Sequence, residues 1–519
     1  MTIISFMDEK VEYDRAIEDY TQAIKLNPNP VEIISNRGVE YTHTGKYSRA
    51  IDEFSKAIKL NPQDAEFFSN RGVAYAYNGD FDKATNDFLQ AIHFNERYAL
   101  AYYNRGIFFY KKGDYEQSLQ DYNQAILCNP GDALACYNRS VVYAEKGEYD
   151  NAIDDLNQSI TCNPKYVSAY MSRSLMYAEK GDPDRAIAEL TELLKQHPNH
   201  TPVYMNRGVV YYKTGDIKRA VEDYTLALKG NPQYALAYMN RGLALSKKGL
   251  YDRALEDYNQ AIKYNNQYAT VYMNRGIVQV YKKSYDKAIE DATQSIKLNP
   301  NLTEAYANRG SAFIYRGLYQ QAVEDTTEAI KRNPQYALAY MNRGAAYAYL
   351  EKQDQAIEDY TKGIDLNPNV ADFYTNRSGA YYKKRLYDQS ISDLSQSLRL
   401  NPQPQTYTNR SNAYYHKRDY DHAIEDATAA LKLKPELAEA YSNRSAAYVQ
   451  KRDYERAIED ASLAIKYNPT MTEAYINQGV AYVQLQQYAL AHKVFTDVLK
   501  INSRLPQVNA MLEMLRELV

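Results

Sequence analysis

Residues 204–208 read YMNRG, and the same five letters return at 238–242, 272–276 and 340–344. Each copy lies inside an apolar-periodic run such as TPVYMNRGVVYY, Thr201 to Tyr212. That spacing predicts a helix with one face turned inward. Tyr204 and Arg207 stand three residues apart and share a face of it. A residue that is costly to bury therefore occupies a packing slot, and it does so many times along the chain.

The Asn-Arg pair sets a period. Its Asn falls at Asn36, Asn70, Asn104, Asn138, Asn206, Asn240, Asn274, Asn308, Asn342 and Asn376, in steps of 34 residues with one step of 68. Midway through the long step stands Ser172, followed by Arg173, so the Arg keeps phase. Asn409 comes 33 residues after Asn376, and Asn443 and Asn477 resume the step of 34. Other residues hold the same phase. An aromatic precedes the Asn by two, as Tyr204 and Tyr238, and a small residue follows the Arg, as Gly38, Gly72, Ser378 and Ser411. Small residues return at Ala50, Ala84, Ala152, Ala220, Ala254 and Ala288, and again at Ala57, Ala91, Ala227 and Ala261. A fixed period of this length marks a repeat architecture. Gly45, Gly79 and Gly113 suit the left-handed end of a first helix, and Asn-Pro pairs such as Asn61-Pro62 end a second. No such pair buries its apolar face alone, so the pairs stack.

Sixteen residues after the Arg comes an acid, as in Arg37 and Glu53, Arg207 and Asp223, Arg241 and Asp257, Arg343 and Asp359. The repeat that has Gln478 in place of Arg has Val494 in place of the acid. Two residues lost together are expected to touch, so the pair reads as an internal Arg–carboxylate bridge between the two helices of a repeat. Asp19 has Ile3 in the Arg position and is expected either to pair with Arg37 or to lack its partner.

The pattern resembles the tetratricopeptide repeat (TPR) family over about residues 11–505, with Tyr in place of the family's Trp and Arg in place of its Leu. The resemblance implies an all-α, right-handed α-solenoid superhelix of about 15 helix-turn-helix repeats. The expected organisation is a truncated first repeat at 1–30, ten repeats at 31–370 and three variant repeats at 371–471. A degenerate last repeat at 472–505 and a capping helix at 506–519 complete it. In the variant segment Arg385, Arg418 and Arg452 stand where the turn Gly belongs, and those helix ends are expected to differ in shape. In the last segment Val508, Met511, Leu512 and Leu515 form one face, while Met514 and Val519 offer a surface for homodimerisation.

In this family the first helix of each pair lines the concave groove, which assigns candidate binding positions. The Asn before each Arg is one, including Asn206, Asn240, Asn274, Asn308 and Asn342; it reads either as a ladder for a peptide backbone or as a brace between helices. The residue before it is Met205, Met239, Met273 and Met341 in the middle of the chain, an apolar and adaptable surface. Tyr281, Tyr315 and Tyr349 hold one phase in three successive repeats and read as interface anchors. For both groups the competing reading is gap filling between repeats. The Lys of the family's carboxylate clamp is missing from its position throughout, and its Asn position is filled only by Asn412, beside Thr408 rather than Lys, so chaperone tails are not expected ligands.

Composition narrows the rest. The chain has 519 residues, 54 Tyr and no Trp, with 62 Lys plus Arg against 65 Asp plus Glu. Without a basic excess, neither nucleic acid nor membrane is an expected partner. The opening MTIISFMDEK lacks the features of a signal peptide, no apolar run spans a bilayer, and a cytoplasmic location is expected. Cys128, Cys136 and Cys162 read as small packing residues, and His197 with His200 falls short of a metal site. Motifs for nucleotide, metal or nucleophilic catalysis are missing, so no cofactor and no enzyme activity is expected. The leading function is a non-catalytic scaffold holding an extended peptide in its groove. The alternatives are a recruiting arm for a separately encoded enzyme and a self-associating structural solenoid.

Overall fold

The computed structural model describes residues 3–27 and 30–516, with side chains from Tyr13 onward. Among them are thirty α-helices and no strand. Fourteen consecutive helix pairs run from Val31–His43 with Tyr47–Leu60 to Thr472–Gln484 with Tyr488–Ile501. A single helix, Ile3–Leu26, precedes them, and Pro506–Leu515 follows. The truncated repeat is thus one continuous helix. The chain is an α-solenoid of about fifteen repeats that divides into two compact units, Met1–Leu250 and Tyr251–Val519.

Local chemistry sets the helix ends. Gly45, Gly79, Gly113 and Gly317 close first helices at positive φ, a conformation that costs Gly nothing sterically. Arg385, Arg418 and Arg452 sit at φ 59°, 67° and 62° in the same position. The expected difference in shape is therefore corrected. The amide after Arg385 reaches back from Leu386 to the Tyr381 carbonyl at 2.9 Å, as the Asp80 amide reaches Tyr75 at 2.9 Å after Gly79. The turn is imposed by stacking, and the Arg accepts the strain. At the other turn, Asn61, Asn95 and Asn231 leave the helix in extended conformation. Tyr204 and Tyr374 donate their hydroxyls to the carbonyls of Pro198 and Pro368, both at 3.1 Å, and so tie the next helix to that turn.

Within a pair the small residues do what their phase implies. Ala50, Ala84, Ala152, Ala220 and Ala254 are fully buried. Gly208 faces the Tyr224 ring so closely that a Cβ would lie 2.6 Å from it, and Gly344 meets Tyr360 in the same way at 2.8 Å. Where Ser takes the Gly position, the opposing residue shrinks: Ser140 faces a repeat with Leu156, Ser378 one with Leu394, and Ser411 one with Ala427. The interhelical space is filled once, from one side or the other.

Within each unit, second helices pack on the first helix of their own repeat and on that of the next. Successive first helices also touch, such as Ala65–Asn78 with Ala99–Lys112 in the first unit and Thr303–Arg316 with Ala337–Tyr349 in the second. No comparable contact joins successive second helices among the described residues. First helices therefore lie on the inner side of the local curve in each unit. At the end, Val508 and Leu515 of Pro506–Leu515 are buried against Ala491, Phe495 and Val498, with Met511 and Leu512 alongside. Met514 is 60% exposed, and Val519 lies outside the described residues.

Candidate peptide-binding face

The inner face is built around the arginine. Arg207 reaches Asp223 with both Nε and Nη2, at 2.8 and 2.7 Å, in a two-pronged bridge from the first helix to the second. Its side chain is 15% exposed and that of Asp223 is 4%. The same fork joins Arg71 to Asp87, Arg275 to Asp291, Arg343 to Asp359 and Arg444 to Asp460. The guanidinium also lies 5.7 Å from the Tyr204 ring centre and 5.9 Å from that of Tyr211. The bridge to Asp223 holds Arg207 charged, raising its pKa against the opposing effect of burial. Burial likewise pushes the Tyr224 phenol up, so that it stays neutral.

Most forks have a third prong that the reading of the Arg–acid pair did not include. Nη1 of Arg207 donates to Thr191 Oγ1 at 3.0 Å, on the second helix of the preceding repeat. Arg71 reaches Ser55, Arg139 Asn123, Arg309 Thr293 and Arg377 Thr361 in the same way. Gln478, which has no acid to pair with, keeps this contact alone, to Ser462 at 2.8 Å. The signal was present in the sequence, since a hydroxyl or amide residue stands sixteen before nearly every Arg. The exceptions are Leu89 before Arg105 and Leu394 before Arg410, whose Nη1 reaches Ser395 instead. Arg37 uses this prong on Thr21 and pairs with Glu53, so of the two expectations for Asp19 the pairing with Arg37 is not seen among the described residues; the side chain of Ile3 lies outside them.

The Asn file runs along the same helices. Asn342 donates to the Ala307 carbonyl at 3.0 Å, Asn443 to that of Thr408 at 3.1 Å and Asn477 to that of Ser442 at 3.1 Å. Asn104 and Asn138 reach the hydroxyls of Ser69 and Tyr103 instead, at 3.2 and 2.8 Å. At these positions one amide proton braces the preceding repeat. The second proton and Oδ1 have no role in that bond. Asn206, Asn240, Asn274 and Asn308 occupy the same phase and are likewise partly exposed.

The methionines divide. Met205 is 3% exposed and packs with Tyr211, Ala220 and Tyr224, so it offers no surface and is a correction to the groove assignment. Met239, Met273 and Met341 are partly exposed. Tyr281, Tyr315 and Tyr349 are 64%, 61% and 62% exposed. Each stacks face to face on the tyrosine that opens the second helix of the preceding repeat. Tyr251 and Tyr281 have ring centres 5.3 Å apart, Tyr285 and Tyr315 5.5 Å, Tyr319 and Tyr349 4.8 Å. Cys136 is buried as a packing residue, but Cys162 is exposed and Cys128 half-buried, which corrects the reading of all three as packing. His197 and His200 have ring centres 6.3 Å apart, and burial lowers the pKa of His200. Among the described residues no helix is long and apolar enough to cross a membrane.

The comparisons agree with this architecture. Profiles described as TPR repeat match residues 38–79, 74–113 and 247–282. Profiles described as Tetratricopeptide repeat match 10–30, 99–132, 133–166, 172–235, 269–302, 303–336, 337–370, 371–404, 404–437 and 443–506. No curated protein matches the chain in sequence. Among solved structures, it is similar to a chain of the APC/C hetero-tetramer Cut9-Hcn1, at 15% identity and TM-score 0.57 over 95% of this chain and 98% of that one. A tetratricopeptide repeat protein from Parabacteroides merdae ATCC 43184 aligns at 19% identity and TM-score 0.41 over 47% of this chain and 98% of its own. YrrB, a TPR protein with an unusual peptide-binding site, aligns at 24% identity and TM-score 0.30 over 34% of this chain and 92% of its own. These two scores are too low to support a shared arrangement. The first similarity shows a common fold, and the matched repeats, running with short gaps from residue 10 to residue 506, place the chain in the tetratricopeptide repeat family.

Proposed function

We propose that this chain is a non-catalytic protein-interaction scaffold that holds an extended peptide segment on the inner face of its first helices. One observation carries the reading. In the second unit, three successive repeats each present a tyrosine more than 60% exposed and already stacked on a partner ring. Tyr281, Tyr315 and Tyr349 follow Asn274, Asn308 and Asn342 by seven residues. Two helical turns separate them, so each Tyr shares a face with its Asn. A ring fixed by stacking loses little freedom on contact with a ligand. The neighbouring amide retains a donor and an acceptor suited to a peptide backbone. Aromatic anchors beside repeated amide groups fit a chain that runs across several repeats.

The test is selection of random peptides displayed on phage against the full chain, followed by titration of the enriched peptides. Replacing Tyr281, Tyr315 and Tyr349 together by Ala should abolish binding while helicity is unchanged, and replacing Asn308 and Asn342 by Ala should weaken it. Peptides held equally by the folded triple-Tyr variant and by wild type would sink the proposal.

A further inference from the structure

In the first unit a cavity of about 450 Å³ opens between the helices Ala65–Asn78, Phe81–Phe94 and Ala99–Lys112. That size lies within the ~300–1,000 Å³ common to ligand sites. Val73, Phe88, Ile107 and Phe108 form its apolar wall, and Phe81 lies against Phe108 with ring centres 5.8 Å apart. Tyr77 and Phe81 are 52% and 51% exposed at its mouth. The polar groups in the lining are Asn104, Lys111, Lys112 and the Tyr77 hydroxyl; no carboxylate is among them.

Lys112 departs from a pattern that six other repeats show. In six other repeats the cation at the end of a first helix pairs with the acid thirty residues before it: Lys146 with Glu116, Lys180 with Asp150, Lys282 with Asp252, Arg316 with Asp286, Lys384 with Asp354 and Lys451 with Asp421. Lys112 has Asp82 at that distance, yet no ion pair joins them among the described residues. Its Nζ lies 6.0 Å from the centre of the Phe108 ring instead. Lys111 Nζ lies 4.4 Å from the Tyr77 ring centre and donates to the Tyr77 hydroxyl at 3.3 Å. Two adjacent ammonium groups thus stand at the rim of an apolar cavity, each against a neutral ring, while Asp114 and Glu116 line a separate hollow on the other side of Lys112. Such a rim attracts carboxylates and selects against basic ligands.

We infer that this cavity is a docking site for an acidic peptide. A bulky apolar side chain of the partner fills it, neighbouring Asp or Glu residues pair with Lys111 and Lys112, and Asn104 Oδ1 accepts from a peptide N–H. Asn104 and Lys111 are seven residues apart on one helix and so share the face that borders the cavity. The apolar anchor supplies affinity, and the charged rim supplies selection. The site shares no residue with the stacked tyrosines of the second unit.

The full chain is titrated with short fluorescein-labelled peptides carrying one Phe, Leu or Trp flanked by Asp and Glu, read by fluorescence anisotropy. At least one should bind saturably. Changing its apolar residue to Ser, or its acids to Lys, should remove binding. The double variant Lys111→Glu, Lys112→Glu should weaken it by roughly tenfold or more. Ala76→Phe, which places a ring in the cavity, should block it, with circular dichroism confirming that both variants are folded. The Tyr281, Tyr315 and Tyr349 triple Ala variant should bind as wild type does, which separates this site from the function proposed above. The inference is overturned if no peptide of the set binds, if neutral peptides bind as tightly, or if binding is indifferent to the lysines or to Ala76→Phe.

Discussion

Arg207 and Asp223 face each other as a two-pronged pair across the helices of one repeat, Nε to Oδ2 at 2.8 Å and Nη2 to Oδ1 at 2.7 Å. The contact is nearly closed to water, and Thr191 takes the remaining prong. The arginine therefore ties together three helices from two successive repeats.

Removing either partner leaves a charge with no counterpart. Arg207→Ala or Asp223→Ala should each cost about 3–5 kcal/mol locally. Leu at both positions should cost less than either single change, because no orphaned charge remains. Hydrogen exchange of the helices Thr201–Lys213 and Ile217–Gly230 is the suitable measurement, since a stacked array opens locally rather than all at once. Equal loss in the double and single variants would contradict this account.

The third prong is worth a single hydrogen bond. Thr191→Val should cost about 1 kcal/mol, read as faster exchange where this repeat meets the next. The reverse experiment is available at Leu89, which is 50% exposed and stands where Arg105 would find its hydroxyl. Leu89→Thr should stabilise that junction by about 0.5–1.5 kcal/mol. No gain in thermal or chemical stability there would count against the prong as a stabilising contact.

Gly208 and Tyr224 fill one space between them. Gly208→Ala should destabilise the repeat by about 1–3 kcal/mol, because the new Cβ would lie 2.6 Å from the ring. Adding Tyr224→Leu to Gly208→Ser should recover most of the loss, since Ser378 with Leu394 shows the combination packing in this same chain. Denaturant melts of the single and double variants test the coupling.

Arg418 sits at φ 67° with no glycine to make that conformation free. Arg418→Gly should raise stability by about 1 kcal/mol, with the same expected at Arg385 and Arg452. A fall in melting temperature for all three would show that their side chains stabilise the turn more than the backbone strains it.

The residues that decide the architecture were legible because each is written many times in one phase. The period of 34, the glycine and Asn-Pro ends, and the bridge from Arg207 to Asp223 all follow from which residue types recur together and which vanish together, as Arg and acid do at Gln478 and Val494. What repeats in sequence here is what a helix pair needs for itself. Apart from the hydroxyl or amide that stands sixteen before most arginines, the contacts between repeats were not legible in the same way. The brace from Asn342 to the Ala307 carbonyl and the stacking of Tyr281 on Tyr251 join residues from different repeats, and the burial of Met205 and the turn of Lys112 toward Phe108 depend on what surrounds each side chain. Sequence phase assigns a side chain to a helix face. Whether that side chain then meets a neighbour, a cavity or water depends on how closely and at what angle the next repeat stacks, and only the packed structure decides that.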